Sequence, residues 1–172
     1  GITQDAFTEV INAIFRIASG EKLWKVMVYD GAGKLTAFSV QESKGYRVGF
    51  IENGNLHHGE AAEGSSATLS GLQVVPAAQN QWADGTYNGA SNLRETASFQ
   101  TIGERLCLKV ELPVLTETFN SATQKIESKA AGAVVLLSGL DGEFAAWIKR
   151  LTGMRVAVFS NATHSAGELT EY

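Results

Sequence analysis

Cys107 is the single cysteine of this 172-residue chain and the side chain best able to begin a covalent reaction. A thiol becomes a nucleophile only with a base in reach and its thiolate favoured, so a small hydrolase using Cys107 is one reading. An unpaired Cys inside an alternating strand more ordinarily serves as a small packing residue, and that reading is preferred. A metal would have to be gathered by His57, His58, Glu60 and His164. Adjacent strand residues point to opposite faces, so His57 and His58 do not readily share one ion, and no metal site is expected. Gly31-x-Gly33 resembles a phosphate loop but is followed by a strand rather than a helix N-terminus, so it reads as a hairpin turn, as does Asp84-Gly85. Asn161-Ala162-Thr163 fits a glycosylation sequon, relevant only to a eukaryotic secreted chain.

Non-covalent recognition is better provided for. Trp82 and Tyr87 combine a large apolar body with a polar tip, and Arg94 can hold a carboxylate through a forked pair of hydrogen bonds. Tyr46, Arg105 and Lys109 complete the candidate ligand-binding set. The expected ligand is small and polar or anionic, with neither a cofactor nor a catalytic residue assigned.

The elements that must position these residues follow from periodicity. Phe7, Val10, Ile11, Ile14 and Phe15 form one helical stripe between Gln4 and Ser19, with Thr3 as cap and Gly20 as a left-handed stop. Leu23 to Tyr29 and Leu35 to Val40 predict a hairpin in which Trp24, Val26 and Val28 share one face. A second hairpin, Tyr46 to His57, turns at Glu52-Asn53-Gly54-Asn55. Gly59 to Gly103 is rich in Gly, Ala, Ser, Asn and Gln and predicts a long ordered functional loop.

In the strand Glu104 to Val114, Leu106, Leu108, Val110, Leu112 and Val114 face one way, with Arg105, Cys107, Lys109 and Glu111 opposite; Pro113 belongs near its end or at an edge. Thr116 to Lys129 predicts a polar connection with a helical turn near Ser121 to Ile126, and Ala130 to Leu137 a central strand. A second helix, capped by Asp141 and closed by Gly153, precedes the strand Met154 to Ser160; Asn161 to Gly167 then turns the chain towards Glu168 to Tyr172. One domain is expected, with residues 1–20 as the helix and 21–172 as the core.

Size and charge bound the rest. A chain of this length buries roughly 70% of its unfolded surface. Hydrophobic residues at 44% and charged residues at 19% are globular values. A net charge of -4 argues against nucleic acid or anionic lipid as partner. There is no run of 18 apolar residues and no signal-peptide pattern in the first twenty; the abrupt ends read as those of a domain excised from a longer protein.

Leu106 to Val114 (LCLKVELPV), Gly132 to Phe144 (GAVVLLSGLDGEF), Leu151 to Phe159 (LTGMRVAVF) and Ala166-Gly167-Glu168-Leu169 carry a family likeness, as does the hairpin Lys25 to Ala37 (KVMVYDGAGKLTA) after a helix. Together they resemble the Cache sensor domains, PAS-like modules of bacterial chemoreceptors, sensor histidine kinases and diguanylate cyclases. The resemblance implies an α+β fold: an antiparallel sheet with a long N-terminal helix and a second helix before the last main strand. It further implies an extracytoplasmic, periplasmic setting in an inner-membrane protein, membrane helices outside this chain, and signalling without chemistry on the ligand. A homodimer through the N-terminal helix fits the same expectation. The aromatic and arginine motif of amino-acid-binding double Cache domains is not reproduced between Trp82 and Arg94, and there is no Cys-x-x-Cys-His for covalent haem. The competing reading is a protein-interaction or dimerisation module of PAS-like or profilin-like fold with no small ligand.

Overall fold

The computed structural model describes residues 4–64, 71–160 and 163–167. The fold is α+β. Helix α1 (Gln4–Gly20) is followed by strands β1 (Lys25–Asp30), β2 (Leu35–Glu42), β3 (Gly45–Glu52), β4 (Asn55–Ala61) and β5 (Gln73–Pro76). After a long loop come β6 (Thr96–Ile102), β7 (Arg105–Asn120) and β8 (Lys125–Gly139), then helix α2 (Gly142–Thr152) and strands β9 (Ala157–Ser160) and β10 (Thr163–Gly167). Eight strands form one sheet in the order β5-β4-β3-β2-β1-β8-β7-β6, and every neighbouring pair is antiparallel.

The sheet has apolar side chains on both faces because β1, β2 and β3 carry them at successive positions. On the first face Val26, Ala37, Tyr46, Val48 and Phe50 pack against Ile11, Ile14, Phe15 and Ala18 of α1. On the second, Met27, Tyr29, Leu35, Phe38 and Val40 meet Val135 and Leu137 of β8 and are covered by Ala83, Trp82 and Tyr87 of the loop. Trp24 belongs to this second cluster. It precedes β1, where the alternation that pairs it with Val26 does not yet apply, so the predicted shared face is corrected. Helix α1 stops where Glu21 N-H donates to the Ile17 carbonyl, and the left-handed residue is Lys22 (φ 54), not Gly20. Thr3 lies outside the described residues.

Several expectations meet their physical reasons. Asn53 and Gly54 both have positive φ (50 and 77), the conformation a two-residue hairpin requires. Asp141 caps α2 by accepting from Glu143 N-H and Phe144 N-H, and Gly153 closes it at φ 71. Pro113 lies within β7, but β6 last pairs at Thr96–Glu111, so among the described residues no strand pairs with that edge of β7 at Pro113 and a missing N-H is tolerated.

Other elements differ. The polar connection predicted for 116–129 is instead a hairpin: β7 runs on to Asn120 and β8 begins at Lys125. Threonines alternating with charges form strands without supplying an apolar period, which hid it. Asn120 Oδ1 accepts from Ala122 N-H and Thr123 N-H and makes the turn that reads as helical in sequence. Within the predicted long loop, β6 is a strand whose residues other than Ile102 are all exposed. The strand after α2 pairs with β10 and not with the main sheet, so a second helix is present but the last main strand is β8. Asn161-Ala162 and Glu168 to Tyr172 lie outside the described residues.

Phe15 is 2% exposed beneath the sheet, whereas Phe99 on β6 is 70% exposed. Urea denaturation of Phe15→Ala is expected to show a loss of about 3–5 kcal/mol, and of Phe99→Ala a change within about 0.5 kcal/mol.

Candidate functional site

The second face of the sheet is where candidate side chains converge, and the loop preceding β6 brings them there. The β1–β2 turn holds this loop: Tyr87 N-H donates to the Gly33 carbonyl (2.8 Å) and Leu35 N-H to the Gly85 carbonyl (3.0 Å). Gly33 has φ +74, and a Cβ there would sit 2.1 Å from the Tyr87 carbonyl oxygen. Only glycine meets both demands. Asn80 shapes the loop locally, its Oδ1 accepting from Trp82 N-H and its Nδ2 donating to the Ala83 carbonyl. Two side chains of β1 hold it from below: Lys25 Nζ donates to the Trp82 carbonyl (3.0 Å) and Tyr29 Oη to the Asp84 carbonyl (3.0 Å).

Trp82 lies over β2–β4. Its ring centroid is 4.5 Å from that of His58 and 6.3 Å from that of Phe38, with the Arg47 guanidinium 5.3 Å from the ring. Gly49 makes the room, because a Cβ there would meet the Phe38 ring at 2.8 Å. His58, nearly enclosed, has its pKa lowered by burial and then by Arg47, against an opposing pull from Glu42.

Tyr87 lies over β1 and β7. Its hydroxyl donates to Glu111 Oε1 (2.6 Å), its ring is 5.2 Å from that of Tyr29, and Lys109 Nζ is 5.3 Å from the ring centroid. Glu111 also accepts from Thr96 Oγ1 (2.6 Å) and pairs with Lys109 at 2.7 Å. Partial burial alone would raise the Glu111 carboxyl, but hydrogen bonds from Lys109, Thr96 and Tyr87 outweigh it and hold the pKa at about 2. Burial, with the hydrogen bond to Glu111, pushes the Tyr87 phenol up to about 12.

Beside this network stands a third aromatic ring, Trp24, with Arg105 Cζ at 4.5 Å and Lys25 Nζ at 4.9 Å from its centroid. Burial lowers the Lys25 pKa, Asp84 opposes that, and the nearby Arg105 charge lowers it further. Cys107 lies between Arg105 and Lys109, 0% exposed, with Sγ 3.7 Å from the Arg105 carbonyl. Burial pushes its thiol pKa up, the opposite of nucleophile activation.

Of the six residues chosen from sequence, Tyr87, Arg105 and Lys109 thus come together on this face, with Trp82 further along it. Arg94 is exposed just ahead of β6. Tyr46 is on the first face beneath α1, its hydroxyl 3.3 Å from the Ala18 carbonyl. Trp24, Lys25, Thr96 and Glu111 were not among the six. The period-two pattern puts Lys25 with Met27 and Tyr29, and Glu111 with Lys109, and that shared face was the available signal. His57 and His58 do face opposite ways, His57 stacking on Phe50 and His58 on Trp82. Among the described residues no group of three metal-ligating side chains gathers.

A separate cavity of about 630 Å³ opens between the end of α1 and α2. Its walls carry Glu21, Lys22, Asp141, Glu143, Trp147 and Arg150, and Lys22 is paired with Glu63.

No family model matches the chain, and no curated protein or solved structure matches it either.

Because Glu111 has a pKa of about 2 against an ordinary 4.5, its contribution is complete above pH 4.5 and is lost as pH falls through the folded value. Urea midpoints of wild type and Glu111→Gln should therefore differ most at neutral pH and converge as pH falls from 4.5 towards 2. The Cys107 thiol should react with a disulfide reagent at least ~100-fold more slowly in the native protein than in urea.

Proposed function

We propose that this chain is a ligand-binding sensor domain of a bacterial transmembrane signalling protein, of the PAS-like Cache kind, working on the extracytoplasmic side of the inner membrane. The antiparallel sheet with an N-terminal helix on one face and a loop on the other is consistent with a PAS-like layout. No helix among the described residues is long and apolar enough to cross a membrane, and the proposal places the membrane helices elsewhere in the parent protein.

The observation that carries the reading is the convergence of Lys25, Arg105 and Lys109 on one face beside the rings of Trp24 and Tyr87. Glu111 neutralises Lys109, leaving Arg105 and Lys25 as the cations that meet a ligand. Arg105 is exposed and can fork onto a carboxylate, while Lys25 keeps donors beyond the one given to Trp82. A small organic anion with an apolar body suits this surface, its charge on Arg105 and its body against Trp24 and Tyr87. No chemistry on the ligand is proposed, in keeping with burial raising the pKa of the enclosed Cys107 thiol.

Binding reaches α1 through β1. Lys25 both faces the ligand and holds the loop, and the next residue, Val26, packs beneath α1. A ligand that prefers one setting of Lys25 shifts the balance between two positions of α1 by its difference in affinity. The second reading, an interaction module without a small ligand, draws on the exposed Phe119 and Ile126.

Thermal melts against a panel of millimolar mono- and dicarboxylates separate the two. At least one compound is expected to raise the melting temperature by several degrees. Arg105→Ala is expected to abolish the shift while leaving the ligand-free melt within about 2 °C of wild type. A panel without a single hit, or a shift that survives Arg105→Ala, overturns the proposal.

A further inference from the structure

The hairpin of β7 and β8 outgrows the sheet. Strand β6 last pairs with β7 at Thr96–Glu111, and β1 last pairs with β8 at Asp30–Gly132. Beyond that, among the described residues, β7 and β8 pair only with each other from Leu115–Ala130 to Asn120–Lys125, a projection of about 20 Å. Ala131 is an extra residue in β8 between Gly132, paired with Val114, and Ala130, paired with Leu115. Such a bulge raises local twist and lets the arm leave the sheet at an angle.

The arm is two-faced. Leu115, Ala130, Phe119 and Ile126 lie on one side by register, with Glu117 and Ser128 between them, and Phe119 and Ile126 are 67% and 68% exposed. Thr116, Lys129, Thr118, Glu127, Asn120 and Lys125 lie on the other. An isolated two-stranded ribbon is marginal in water, and among the described residues no strand pairs with its β8 edge from Lys125 to Ala130, the β1–β2 turn reaching it only at its inner end, where a Cβ on Gly31 would lie 3.7 Å from the Ala130 carbonyl oxygen.

Ile126-Glu127-Ser128-Lys129-Ala130, between the tip and the bulge, is self-complementary when run antiparallel to itself. With Ser128 opposite Ser128 of a second copy, Glu127 faces Lys129, Lys129 faces Glu127, and Ile126 faces Ala130. A register centred on a residue keeps both apolar faces on the same side, as a two-fold axis through the sheet demands. Centring on Glu127 instead sets Glu127 against Glu127 and Lys125 against Lys129. Centring on Ile126 pairs Lys125 with Glu127 but engages only the last residues before the turn. The β7 edge has no matching register, because Glu117 meets only Leu115, itself or Phe119 there.

We infer that a second copy of this chain docks on the β8 edge of the arm, antiparallel and centred on Ser128, to give one sheet continuous across a two-fold axis. Opposite charges directly across an antiparallel pair stabilise it, like charges destabilise it, and the two-fold doubles either effect.

Sedimentation equilibrium of the 172-residue chain at micromolar to millimolar concentration reads the result, with circular dichroism checking that every variant is folded. Wild type is expected to form a concentration-dependent dimer. Glu127→Lys and Lys129→Glu are each expected to weaken it by about tenfold or more, and the double reversal to restore it. A monomeric wild type overturns the inference. So does a dimer indifferent to both single reversals, the result expected of a dimer formed through α1. Weakening by Glu127→Lys but not by Lys129→Glu overturns the Ser128 register in favour of the Ile126 one, and failure of the double reversal to rescue overturns the pairing altogether.

Discussion

Strand β1 is the constraint on which the rest depends, because it must be satisfied on four sides at once. It gives hydrogen bonds to β2 along one edge and β8 along the other, and it sends alternate side chains under α1 and under the loop. A one-residue slip of β1 would put Lys25, Met27 and Tyr29 beneath α1 and expose Val26 to the loop. Such a slip would bury an ammonium among aliphatic side chains, at a cost far above that of any surface contact. Register is therefore fixed by β1, and through it the position of every group on the second face.

That fixed register explains why the loop can be both irregular and ordered. The loop has little periodicity of its own, and its order comes from side chains and turn atoms of the hairpin below: Lys25, Tyr29, the Gly33 carbonyl and Leu35 N-H. Lys25 serves two purposes, anchoring the Trp82 carbonyl and adding charge beside Arg105. A side chain so shared is a poor place for substitution and a good place for coupling, since whatever draws its ammonium away also releases the loop.

The sequence was legible where burial imposes a period and opaque where it does not. The α1 stripe, both early hairpins, the run from Ala130 to Leu137 and the caps at Asp141 and Gly153 all left signals, because each has an apolar rhythm or a demanding backbone angle. Strand β6 and the outer half of the β7–β8 hairpin left none, since their residues face water on most sides and only backbone pairing makes them strands. The site divides likewise. Arg105 and Lys109 were legible through alternation, whereas the meeting of Trp24 with Arg105 depends on a side chain turning across the sheet just before β1 begins. Tyr46 shows the converse, since its type fits a binding site but its parity puts it under α1.

The extra residue at Ala131 has a consequence for how this protein can change over generations. Inside the bulge β8 has a strand on both edges from Gly132 to Leu137, and Gly132 admits no side chain, since a Cβ there would lie 2.2 Å from the Tyr29 carbonyl oxygen. Outside it, among the described residues, the two strands pair only with each other. Removing or adding one residue from each strand near the tip shifts the turn by one rung and swaps which face it presents. Changes of two preserve the faces, and neither alters a core contact. The projection is thus the part of the sheet whose length is free to drift, with the bulge as the boundary between a segment that selection can lengthen or trim and one that it must keep.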